Sequence, residues 1–571
     1  MKRFSKILSV ALALCMLLAI GVMASGEASG GMSMPGGGGQ SAPDSYDSVM
    51  DITEDQDLVG VEMASENGDE NVIHVYDGAV VSIADSSFEN HGEGGGGDAS
   101  SFYGVGATLF VSDGELYVSD TDIATDCSGG AGVFAYDNGV AYVSGATIST
   151  TQASAGGLHV AGGGTLYAWD CDVHTEASMA AAPIRSDRGG GLMVIDGGSY
   201  VAEGGTGAVY VTADITVHDA YLYAGASEAI AIEGKNTIRL FDCDLTGNMV
   251  SGDLNDGNVW NIIVYQSMSG DADVGTSEYD MIGGTLTTNA GPVVYNTNTS
   301  SYITFKGVDI NYGDTTTWFL QVTGNNSSRT WGTAGKNGAN CIFSAYEQAM
   351  EGGVVYDTIS NLDFYMIDGS SLEGAIVLDD SYNGGNSGDG ICNVYITEDS
   401  TWTVTGDSEI NGTLYCAGTI ENAQVVDAAG NTYGEGEYTV TVGAYETTVD
   451  TSAAGEVPVW EDYAVENPFA GASDEASGEA SAEAAGGDTS EAAYQAYLKS
   501  YVDACPAVSD EQYEEFAALI DAGNYTDFPV EMCFTDAYWG FVAATYDEFV
   551  AAGGNVELPD FDPSLTQDAE A

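Results

Sequence analysis

The chain has 571 residues, and its 87 Asp and Glu against 11 Lys and Arg give a formal net charge of −76 at pH 7. That excess of negative charge excludes unassisted binding to nucleic acid, anionic lipid or polyuronate, all of which need fixed cationic groups. It equally suits a surface built for solubility and salt tolerance.

Lys2, Arg3 and Lys6 precede an apolar run from Ile7 to Ile20 and then Ala24. This order predicts a secretory signal peptide over residues 1–24 and an extracellular address. The run is short for a membrane span and no later segment reaches that length, so no integral membrane segment is expected after cleavage. Of the nine cysteines only Cys15 lies in the leader. The others enter a setting that permits disulfides, and none has CxxC spacing.

Residues 25–55 are rich in Gly, Ser, Met and Pro and are expected to form a linker. From residue 56 to 450 the chain is dense in Gly, Asp, Thr, Val and Tyr, and it repeats. Aligning LYVSDTDI (116–123), AYVSGATI (141–148), LYAWDCDV (166–173), ITVHDAYL (215–222) and IRLFDCDL (238–245) gives an eight-position pattern, with further copies at 81–88, 193–200, 279–286, 303–310 and 365–372. Position five is Asp85, Asp120, Gly145, Asp170, Gly197, Asp219, Asp242, Gly283, Gly307 or Gly369. Asp and Gly share a tolerance for left-handed backbone, so position five is read as a bend between two short strands. Position six is mostly small, and Cys171 and Cys243 there are expected to be inward core fillers rather than a reactive pair.

A third strand precedes each copy, with inward residues flanking an outward one: Leu109-Phe110-Val111, Val133-Phe134-Ala135, Leu158-His159-Val160, Val209-Tyr210-Val211. Three short strands per repeat with no helix between them predict an all-β coil. The pattern resembles the right-handed parallel β-helix, the architecture of pectate lyases, polygalacturonases and many surface adhesins. The resemblance covers residues 56–450 and is one of architecture. The interval 310–372 is expected to hold loops or irregular coils, and residues 436–449 a closing strand or hairpin.

Residues 451–488 are again rich in Ala, Ser and Glu and read as a second linker. Residues 489–556 carry helical periodicity with capping residues Ser509 and Thr535 and predict a small α-helical, three-helix domain, followed by an acidic tail over 557–571. Cys505 and Cys533, at predicted helix ends, are the disulfide candidate.

In a β-helix enzyme acting on polysaccharide, a basic group would lie outward on a strand. Arg185, in IRSDRGG beside Asp187, is the catalytic candidate. The paired-Asp and Gly-His-Gly motifs of polygalacturonases are missing, and LDDSYNGG (378–385) supplies only adjacent acids. The alternative of a divergent calcium-dependent polysaccharide lyase therefore rests on Arg185. Outward Asp122, Asp172, Asp244 and Asp309 at position seven, and the loop GDLNDGN (252–258), are the places where calcium would bind as cofactor. Thr147, Ser199 and Tyr221 separate those aspartates along the stack, which favours solvated carboxylates.

The aromatic pattern points to binding. Tyr117, Tyr142 and Tyr167 fall on successive coils about 4.8 Å apart, and Phe110, Phe134, His159, Arg185 and Tyr210 form a parallel outward row. Together they predict a glycan-binding platform on a secreted, non-catalytic protein, its partner a polysaccharide or another cell-surface component. The competing expectations are a protein-binding adhesin or spacer, and rows that merely stabilise the ladder or lie beneath a loop such as residues 91–104.

Overall fold

A computed structural model describes residues 42–470 except 178, 251–258 and 327–328, together with 494–495, 498–499 and 519–520. The predicted signal peptide, the GDLNDGN loop, the Cys505–Cys533 pair and all but these few positions of the three-helix domain lie outside the described residues. The chain divides into two compact units, residues 1–470 and 471–571.

The first unit is a β-helix-like solenoid of mostly parallel strands in long stacked sheets. One sheet of 28 strands joins the first and second strands of the coils, and sheets of 10 and 4 strands hold the third. In the ten-stranded sheet the order runs monotonically from Asp309–Thr316 back to Glu62–Ser65. Each strand thus pairs with its equivalent one coil before and one coil after.

The bend explains this regularity. Asp85, Asp120, Asp170, Asp219 and Asp242 all have φ between 46° and 52°, and Gly145, Gly197, Gly283 and Gly307 lie between 61° and 76°. A side chain with a Cβ resists this region, and Asp tolerates it because its short carboxylate can satisfy nearby backbone. The register then places position eight inward on every coil: Phe88, Ile123, Ile148, Val173, Tyr200, Leu222 and Leu245 stack in one ladder and are all buried. Cys171 and Cys243 are buried free thiols, as a small inward residue after a tight bend should be. Burial pushes both thiols up to about 12, so neither is a nucleophile at neutral pH.

The interval 310–372 is more regular than expected. A full coil runs through Asn340–Tyr346 and Ala349–Glu351, with Phe343 in register between Ile303 and Phe364. Its bend residue is Glu347, at φ 50°, which the Asp-or-Gly rule had hidden. The next bend is Asp368 at φ 52° rather than Gly369, because Phe364, not Tyr365, pairs with Phe343 and the turn carries one extra residue.

The closing strand falls within 436–449 as expected, whereas the start of the solenoid and the second linker differ from the sequence reading. Asp47–Ile52 already pairs in parallel with Glu70–Val75, so the solenoid starts before residue 56. At the far end Tyr438–Glu446 closes the stack, parallel to both Ser408–Cys416 and Ala423–Asp427. Residues 451–470 do not leave as a linker: they pack back along the outer face of the second strands.

Candidate functional site

The outward position of the second strand forms one continuous row. Tyr117, Tyr142 and Tyr167 are paired in register, half-buried, and stacked face to face, with ring centroids 4.5 Å apart at 6° and then 5.3 Å apart at 28°. Tyr117 donates to Glu115 at 2.6 Å. Because both faces of Tyr142 and one face each of Tyr117 and Tyr167 lie against a neighbouring ring, the row turns mainly edges and hydroxyls outward. A second stack, Tyr365, Tyr395 and Tyr415, continues the same row at the other end, with centroids 4.1 and 4.7 Å apart. Sequence reasoning missed it because one extra turn residue had shifted Tyr365 out of the second position, because Glu398 stands at position five of the copy carrying Tyr395, and because the copy carrying Tyr415, with Gly418 at position five, has Glu421 where position eight is otherwise apolar.

Between the two stacks the row is Val194, Thr216, Arg239, Asp280, Thr304 and Ser344, all nearly inaccessible. The strap formed by residues 451–470 crosses this stretch. Gly455 donates its N–H to Ser344 at 2.8 Å and accepts from the Tyr346 hydroxyl at 2.7 Å. Further along, Trp460 stacks flat on His218 at 4.4 Å, and the Arg239 guanidinium lies 4.5 Å over the Tyr463 ring. Finally Phe469 meets Tyr117 and Trp169 edge-on, at 6.2 and 6.5 Å. The strap therefore ends at the edge of the Tyr117–Tyr142–Tyr167 stack.

Charges beneath the strap are paired. Arg239 donates to Asp214 at 2.6 Å and reaches Glu278 at 3.5 Å, and His218 bonds Asp196 at 2.6 Å. Burial, with Glu278 adding its charge, pushes the Asp280 carboxyl up to about 8, against the opposing effects of Thr304 and Arg239. Asp280 is thus mostly protonated at neutral pH.

The first-strand row is placed differently from the expectation of an exposed platform. Phe110, Phe134 and His159 are fully buried, Arg185 is 4 % exposed, and Tyr210 is half-buried. The cover is helix α1, Gly97–Tyr103, within the segment 91–104, together with Tyr46, whose hydroxyl donates to the Tyr103 carbonyl. Phe110 packs on Tyr46, His74 and Phe134, and Phe134 stacks on His159 at 4.1 Å. The cover falls in residues 91–104, the segment that the competing expectation had named, whereas alternation alone told only which way these residues point.

Arg185 is part of that covered cluster. Its Nε lies 2.7 Å from Asp187 Oδ2, its Nη2 donates to Ser101 of α1, and its Nη1 donates to the Ala180 carbonyl. His159 Nε2 contacts the same Asp187 oxygen at 2.9 Å. Burial, reinforced by the Arg185 charge and opposed by Asp187, lowers His159 to about 4. A guanidinium only 4 % exposed and held by Asp187, Ser101 and Ala180 holds a fold together, and its burial keeps the remaining N–H groups from a substrate. Tyr210 is similarly engaged: it and Tyr265 both donate to the buried Glu233 at 3.0 Å.

Asp122, Asp172, Asp244 and Asp309 are exposed and separated in the ladder by Thr147, Ser199, Tyr221 and Thr285. Among the described residues no group of three or more His, Cys, Asp or Glu is placed to hold a metal ion. No described helix is long and apolar enough to cross a membrane. No family model matches the chain, and no curated protein or solved structure matches it either.

Proposed function

We propose that this is a secreted, non-catalytic protein of right-handed, pectate-lyase-like β-helix architecture that binds a polysaccharide or another surface partner in an adhesin-like role. The observation that carries the reading is the half-exposed, in-register stack of Tyr117, Tyr142 and Tyr167. It offers a rigid ribbon of ring edges and hydroxyls, ordered before any ligand arrives, which limits the entropy lost on binding. The residue that would have carried a lyase reaction, Arg185, is instead committed beneath α1, which argues against the enzyme reading.

Affinity electrophoresis of the full chain on a panel of neutral polysaccharides tests it. Retardation that weakens in Tyr142→Ala supports the reading, and migration unchanged on every glycan removes its polysaccharide form.

A second reading, a protein-binding adhesin, is favoured by one feature of the same row. Most of the ring faces that a sugar would stack on, both of Tyr142 among them, are occupied by neighbouring rings, whereas edges and hydroxyls suit a peptide surface equally well. It predicts capture of a protein partner that Tyr142→Ala weakens, with indifference to sugars. The lyase alternative predicts unsaturated-uronate absorbance with polygalacturonate and calcium, lost in Arg185→Ala.

A further inference from the structure

The strap formed by residues 451–470 lies on the solenoid without joining it. It adds no strand to any described sheet, and its turns close on themselves, with Tyr463 and Ala464 donating to the Trp460 carbonyl and Ala470 to that of Asn467. Among residues 451–470 Gly455 alone is buried. A segment with so little buried surface and no ladder opens at a lower free energy than the coils beneath it.

What holds the strap beyond Gly455 is a set of three ring seats. Trp460 meets His218 at 4.4 Å and Phe241 at 6.0 Å, and Tyr463 meets Phe241 at 6.0 Å and the Arg239 guanidinium at 4.5 Å. Phe469 meets Tyr117 and Trp169. Charge works against the same contact. The strap carries Glu456, Glu461, Asp462 and Glu466 among its anchoring rings, while the row beneath sets Asp196, Asp214 and Glu278 against Arg239 and His218. Asp280, the register partner of Arg239, is 1 % exposed, and neither of its carboxyl oxygens has a hydrogen-bond partner. Like charges on the two sides repel, and a buried polar group without a partner regains water when its cover leaves. The rings thus favour the seated strap and the carboxylates oppose it.

We propose that the strap is a built-in, displaceable occupant of an interaction surface, and that the partner taking its place is a basic polypeptide segment with aromatic side chains spaced like Trp460, Tyr463 and Phe469. Such a segment fills the same three seats, turns the like-charge repulsion into attraction and supplies donors for Asp280. A neutral polysaccharide brings no cationic group to this row. The inference rests on the protein-binding reading, but its seats do not include Tyr142 and its test uses no glycan-binding step, so either can fail alone.

Fluorescence anisotropy of the full chain with a labelled synthetic peptide tests it. The probe has the sequence of residues 455–469 with Glu456→Lys, Glu461→Lys, Asp462→Lys and Glu466→Lys. A control peptide adds Trp460→Ser, Tyr463→Ser and Phe469→Ser, which keeps the charge and removes the rings. In salt of physiological strength, where diffuse attraction to the acidic surface is screened, the probe is expected to bind at least about tenfold tighter than the control. It should bind about fivefold tighter still to full-chain Trp460→Ala, whose own strap has lost its stacked contact. Probe and control bound alike would reduce the effect to bulk charge and overturn the proposal. Equal binding of the probe to wild type and Trp460→Ala would place the peptide elsewhere and overturn it too. Should Trp460→Ala disturb the coils, Gly455→Val lifts the strap at its other end, because a Cβ there would lie 2.7 Å from Thr304 Oγ1. A neutral polysaccharide retained by the strap-weakened chain while the probe is not would overturn the peptide partner and assign the surface to sugar.

Discussion

Phe469 lies edge-on to Tyr117, ring centroids 6.2 Å apart at 70°, although one residue is near the end of the solenoid unit and the other in an early coil. That contact makes residues 451–470 a strap, held at Gly455, Trp460, Tyr463 and Phe469, rather than a free linker. Removing the stacking residue should loosen it locally. Trp460→Ala is expected to cost about 1 kcal/mol, the scale of one aromatic contact, and to raise amide exchange over 455–470 well above that of the coils beneath. Unchanged protection of the Gly455 amide would contradict the strap.

Asp280 makes stability depend on pH. Its folded carboxyl is raised from 3.8 to about 8, so the folded chain holds a proton that the unfolded chain has released. The stabilisation is therefore complete below about pH 4, declines as pH rises, and is lost through about pH 8. The groups around it are Glu278, Arg239 and Thr304, with Tyr463 above on the strap. Asp280→Asn, which stays neutral, should flatten the dependence and exceed wild type at pH 9 by roughly 1–3 kcal/mol. Urea denaturation at pH 5, 7 and 9 checks this, and parallel curves for the two proteins would refute it.

Arg185→Ala should destabilise by about 3–5 kcal/mol, because it leaves Asp187 buried with only His159 beside it. The His159 pKa should rise from about 4, since the Arg185 charge is one of the forces holding it down. Chemical denaturation and the His159 ring resonances across a pH titration read both effects. A loss under about 1 kcal/mol would mean that the cluster is not structural.

Glu347 is the exception among the bends. At φ 50° it bears a Cβ strain that Gly lacks, and its ion pair with Lys306, 3.6 Å long and exposed, contributes little. Glu347→Gly should therefore raise stability by about 0.5–1 kcal/mol, the left-handed strain relieved less the added chain entropy. A fall in the thermal midpoint would show that the carboxylate does more than tolerate the turn.

The bend residues show how much was legible. Asp85 through Gly307 announced a turn at the same position of each copy, and that set the strand count and which side chains face inward even though the copies are unevenly spaced, because left-handed geometry is a local property of one residue. Glu347 escaped because the fold imposed the same geometry on a residue that does not prefer it. The site was harder to read. Alternation located Tyr142 and Phe134 alike on outward positions, yet one is half-exposed and the other buried. What separates them is helix α1, in the segment 91–104 that the sequence offered as a cover for either row, and no period of two says which row it covers. The strap was hidden for the same reason: its anchors Trp460, Tyr463 and Phe469 are spaced to meet rings on other coils, not each other.

The binding role of the Tyr117–Tyr142–Tyr167 ribbon is tested most directly by affinity electrophoresis of the full chain, wild type against Tyr142→Ala, on polysaccharide gels beside a ligand-free gel. Retardation of wild type that Tyr142→Ala reduces, with circular dichroism unchanged, is the predicted result. Wild type and Tyr142→Ala migrating alike on every polysaccharide would contradict it.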